Sequence, residues 1–176
     1  MRYEQDAAQR ATVLRHLSQS LAGAVSLFEK QEGVKLATFP DFKKARARYL
    51  EIQALIFTIT DKAEEAPNRG VPADLRGWLI RMRLRSITSF TRMSLTFFRD
   101  PPELLIHALG AYDILEAEHE SLQSLLNDFD MMLMEAALDD KTSMELDKVR
   151  TQMEEIVSLL VKHLKGAPAA LRTFDE

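Results

Sequence analysis

The sequence predicts an all-α protein, a five-helix up-and-down antiparallel bundle built as a single domain over residues 1–176. Three observations predict it. Apolar residues recur at three- and four-residue spacing in every long segment, the period of a helix with one buried face. Most glycines and prolines fall at the breaks between those segments. No segment alternates apolar and polar residues as a half-buried strand does, and no strand–glycine-loop–helix unit exists to cradle a phosphate. A chain of this length buries roughly 70% of its unfolded surface, so it needs no staple. Short links make successive helices antiparallel neighbours.

The first helix is expected from about Glu4 to Gln31, with Leu14, Leu17, Leu21, Val25 and Phe28 in one stripe and Gly33 as its stop. The second runs from about Pro40, a residue suited to a first helical turn, to Glu65, with Phe42, Tyr49, Ile52, Ile56 and Ile59 facing inward. "APNRGVPAD" then breaks the chain. The third helix spans about Pro72 to Phe98 and ends at "RDPPE". The fourth starts near Pro101 and runs to Leu138, with Leu105, Ala108, Tyr112, Leu115, His119 and Leu122 in one inward stripe, bending if anywhere at Gly110. After the turn "DDKT", Thr142 and Glu145 form a T-x-x-E capping box. The fifth helix ends at Lys165, before Gly166.

Composition narrows the function classes. The chain has no cysteine, which excludes disulfides, thiolate metal sites and thiol catalysis and fits a reducing compartment. The opening "MRYEQDAAQR" lacks an apolar core, so no signal peptide is expected, and no apolar run approaches the roughly 18 residues of a membrane span. A cytoplasmic protein is the expectation. The net charge of −4 is unevenly spread. Residues 1–100 carry 17 Lys/Arg against 11 Asp/Glu, and residues 101–176 carry 6 against 16. Two halves of opposite sign that attract each other are the simpler reading; a polyanion-binding half is the other.

The third helix carries the densest charge pattern. Arg81, Arg85, Arg92 and Arg99 fall within about 40° of one another at 100° per residue. Leu79, Ile80, Leu84, Ile87, Phe90, Met93, Phe97 and Phe98 occupy a broad opposite sector, wide enough for two neighbours. Arg83 points into that sector and needs a carboxylate if buried. The arginine stripe suits either phosphates, as in nucleic acid, or a carboxylate-bearing helix. Folding helices three and four around "RDPP" places Arg85 opposite Glu116 and Arg81 opposite Glu120, which favours the ion pairs.

The methionine cluster Met131, Met132 and Met134 at helical spacing reads first as deformable core and second as a partner-binding face. No nucleophile–base pair or acid–base dyad can be placed, so a non-enzymatic role is expected. The histidines of the last two helices are the remaining chemistry. Folding those helices around "DDKT" brings Leu133 to Val149, Phe129 to Met153, Leu126 to Ile156 and Leu122 to Leu160. The same register brings His119 to His163. Glu116, three residues before His119, shares its face. This trio reads either as a polar layer that fixes helix register or as ligands for a transition metal or small molecule. The layer is the preferred reading, with no cofactor.

"LEAEHESLQSLLNDFDMML" followed by "IVSLLVKHLKG" resembles the first two helices of hemerythrin-like domains over about 115–166. That resemblance implies one histidine from each helix, His119 and His163, at a non-haem di-iron site. The family continues its second histidine as H-x-x-x-E, where this chain has Ala167, and no H-x-x-x-H segment follows. The function expected from the sequence is that of a helical scaffold or regulatory protein that binds another protein or its own copy. Metal or ligand binding through His119 and His163, and polyanion binding through the arginine stripe, are the alternatives.

Overall fold

The structure, a computed structural model, describes residues 2–65, 71–135 and 140–169. Among these residues the chain is all-helical, with no strand. The helices are α1 (Arg2–Glu29), α2 (Phe39–Glu64), α3 (Ala73–Arg99), α4 (Glu103–His107), α5 (Ala111–Glu135) and α6 (Asp140–Leu164). None of them is long and apolar enough to cross a membrane.

Among the described residues six helices stand where five are expected, because the expected fourth helix is two. α4 stops after His107, where Ala108 turns extended at φ −69° and ψ 149°. Gly110 then takes φ 85°, a left-handed conformation that glycine enters without a Cβ clash. The helical spacing of Leu105 and Leu115 runs on across the break, which hides it in the sequence. Ala108, expected on the buried stripe, is exposed. α6 begins at Asp140, so Thr142 lies inside its first turn rather than at a cap. The expected end of the long helix at Leu138 and residues 66–70 of the "APNRGVPAD" break lie outside the described residues. A cap that was not expected opens α2: the Asp41 amide donates to Thr38 Oγ1, and the Thr38 hydroxyl donates to the Asp41 carboxylate at 2.7 Å.

The contacts cluster into two compact units, Met1–Gly33 with Ala45–Phe90, and Val34–Lys44 with Thr91–Glu176. In the first, α1 and α3 advance in the same direction: Glu29 pairs with Arg85, and Glu32 accepts from Ser89. α2 runs opposite to α3, since Tyr49 stacks on Phe90 at 4.7 Å and Gln53 donates to Ser86 Oγ at 3.0 Å. Arg10 donates to the Glu65 carbonyl just past the end of α2. The core comprises Leu21, Val25 and Phe28 of α1, Tyr49, Ile52 and Ile59 of α2, and Leu79, Leu84 and Ile87 of α3.

In the second unit Phe42 stacks on Phe97 at 4.8 Å and meets Phe98 edge-on at 5.0 Å. α5 and α6 pack along each other. Leu115, Leu122, Leu126 and Phe129 are buried, as are Leu146, Val149, Met153, Ile156 and Leu160. An ion pair from Arg150 to Asp130, 2.8 Å, ties the two helices at the rim.

Candidate interaction surfaces

The arginine stripe of α3 is exposed along its length, as its spacing predicts. Two of its members are already committed. Arg85 donates through Nε and Nη2 to both oxygens of Glu29, at 2.7 and 2.6 Å. Arg99 grips Glu155 the same way, at 2.8 and 2.9 Å. Planar guanidinium and planar carboxylate match in this bidentate geometry. The hydrogen bond to Glu29 raises Arg85 above its ordinary pKa against the opposing effect of burial. Arg99 and Glu155 stabilise each other's charged form by the same means, the arginine raised and the carboxyl lowered.

The expected partners of the stripe are corrected. Arg85 takes Glu29 in place of Glu116. Arg81 is exposed and has no ion pair with a described residue, so its expected pairing with Glu120 is absent. Glu116 instead accepts from the Tyr112 hydroxyl at 3.2 Å. The expected register assumed one helix beginning directly after Pro102, and the Gly110 break changes the rotational phase of everything beyond it. Arg92 is exposed. Arg83 is half-buried.

The two histidines do not form a hydrogen-bonded layer. His163 Nε2 donates to the Phe98 carbonyl at 3.0 Å, satisfying one of the free carbonyls at the C-terminus of α3. His119 is half-buried and makes no hydrogen bond with a described residue. The buried polar member of that turn is its neighbour Glu118, 4% exposed, which the sequence reading passed over. The buried face of α5 follows Ala111, Leu115, Glu118 and Leu122, rotated slightly from the expected Tyr112, Leu115, His119 and Leu122. One residue's rotation exchanges a histidine for a glutamate. Glu116 is exposed. Among the described residues no three histidine or carboxylate side chains gather as a metal would require.

The methionines divide. Met132 is core at 8% exposure, while Met131 at 63% and Met134 at 88% stand in solvent, and Met144 near the start of α6 is 64% exposed. The core reading is corrected for Met131 and Met134, because adjacent residues on a helix point about 100° apart and only Met132 faces inward. Two further apolar features were not anticipated. Leu27, Leu50 and Phe57 in the first unit are 63%, 53% and 73% exposed. A groove of about 460 Å³ between α1 and α2 is lined by Leu27, Phe28, Gln31, Arg48, Glu51 and Leu55.

Comparison with protein-family models, with curated proteins and with solved structures finds no match to this chain.

Proposed function

We propose that this chain is a non-enzymatic helical scaffold or regulatory protein that acts by binding another protein. The observation that carries the reading is the exposure of Met131, Met134 and Met144 at the end of α5 and the start of α6. An unbranched, polarisable thioether in water gains from covering, and its flexible stem adapts to irregular partner surfaces. Large exposed apolar side chains grouped on one part of a fold mark interaction sites. The α3 arginines support a protein partner over a polyanion, since Arg85 and Arg99 already hold carboxylates.

The test is site-specific photo-crosslinking in the native cell. A photoreactive residue at Met134 or Met131 is expected to give a discrete protein adduct. The same residue at exposed His16 of α1 is expected to give none. Equal labelling from both places, or no adduct from either methionine position, overturns the reading.

A further inference from the structure

α2 carries two apolar faces, and only one is buried among the described residues. Its inner face buries Ala45, Tyr49, Ile52, Ile59 and Ala63. On the other side Ala47, Leu50, Ala54 and Phe57 are all exposed. Their spacing alternates three and four residues, the repeat of a coiled-coil seam, and they fall within about 80° of one another around the helix. Lys43 and Asp61 continue the same seam one turn before and one turn after, both exposed and neither in an ion pair with a described residue. A solvated face needs no such repeat. Leucine and phenylalanine more than half exposed at seam positions ask for a second helix.

The seam is complementary to itself when reversed. We infer that α2 docks antiparallel against α2 of a second copy of this chain, about a two-fold axis beside Ile52. Reversal about that point sets Phe57 over the small Ala47 of the other copy, and Leu50 over its Ala54. Large thus meets small in each layer, as knobs-into-holes packing requires. It also sets Lys43 against Asp61 of the other copy, at both ends of the seam. A parallel pairing would stack Phe57 on Phe57 and Lys43 on Lys43, leaving like charges opposed. The helix as a whole is polarised in the same sense: its first half carries Lys43, Lys44, Arg46 and Arg48 against Asp41 and Glu51, and its end carries Asp61 and Glu64 against Lys62. A two-fold interface is the commonest closed assembly, and it doubles each favourable contact. One group opposes it. Glu51 lies beside the axis and faces Glu51 of the other copy.

The experiment is sedimentation velocity across a concentration series of the full chain, with circular dichroism as the folding control. The expected result is a concentration-dependent dimer. Leu50→Glu and Phe57→Glu each weaken it by about tenfold or more. Lys43→Glu and Asp61→Lys each weaken it, and the double variant restores it, because each reversed charge meets the other across the axis. Glu51→Gln tightens it. The chain has no cysteine, so a Leu50→Cys/Ala54→Cys variant reports the register directly by forming an intermolecular disulfide. A monomer at every concentration overturns the inference. So does a dimer indifferent to Leu50→Glu and Phe57→Glu, or one that the charge-swapped double variant fails to restore.

Discussion

α3 and α5 are helices of similar length, 27 and 25 residues, and both look amphipathic in sequence. Their surroundings differ. α3 is buried over a sector of about 240°, from Ser89 and Met82 on one side through Phe90 to Leu95 on the other, and beyond its first turns the arginine stripe, with Thr96 beside it, is left to solvent. α5 is buried over about 120°, with Met131 and Met134 on its open side. The difference lies in which residues occupy the flanks. α3 places Ser89 and Thr91 there, with Ser86 and Ser94 further in, small side chains that let neighbouring helices approach, and their burial is nearly complete. α5 has longer or charged side chains there, Tyr112, Gln123 and Asp130 on one flank and Asp128 on the other. Small hydroxyl residues can thus enclose a helix that its polarity would assign to a surface.

The contrast breaks most visibly under truncation. Met82→Ala and Leu95→Ala sit at opposite edges of the buried sector of α3. Each is expected to destabilise by about 2–5 kcal/mol in urea unfolding. Met131→Ala and Met134→Ala on α5 are expected to stay within about 0.5 kcal/mol. If the two pairs respond alike, α3 is not the more enclosed helix.

The start of α5 gives the next largest effect. Gly110→Ala forces a side chain into a left-handed backbone at φ 85°, and a loss of about 1–2 kcal/mol is expected in the same measurement. An unchanged midpoint would mean that α4 and α5 can join as one helix.

The buried hydroxyls of α3 sharpen the comparison further. Ser86 accepts from Gln53 and donates to the Arg83 carbonyl, so Ser86→Ala leaves the half-buried Gln53 amide without that acceptor and is expected to cost about 1 kcal/mol. Ser94 and Thr91 have buried hydroxyls with no partner among the described residues. Ser94→Ala is expected to be neutral or to stabilise by up to about 1 kcal/mol, since it removes an unsatisfied polar atom. Equal losses at both serines would show that Ser94 is bonded in solution.

The smallest effect is a pH dependence at the end of α3. Arg99 holds Glu155 below its ordinary pKa of 4.5, chiefly through the hydrogen bond between them. A depressed carboxyl stabilises the fold above its unfolded pKa and loses that contribution as pH falls through the lower folded value. Wild type is therefore expected to melt above Glu155→Gln at neutral pH, with the gap closing below about pH 4. A gap independent of pH would remove the pair from the stability of α3.

Much of this architecture was legible in the sequence. Leu146, Val149, Met153, Ile156 and Leu160 keep one helical face, and all are buried where the period put them. Arg81, Arg85, Arg92 and Arg99 of α3 share one face and are all exposed. These features are local: a 3.6-residue repeat and a strong apolar–charged contrast fix them whatever the neighbours are. The tertiary structure decided the rest. It gave Arg85 to Glu29, 56 residues earlier, because the return of α1 alongside α3 cannot be read from either segment alone. It chose Glu118 over His119 for the buried side of α5, since at a polar position flanked by apolar ones the period fits both residues and only packing selects the phase. It left Met134 and Phe57 in water, because hydrophobic character states what a side chain prefers, whereas burial depends on whether another element arrives to cover it.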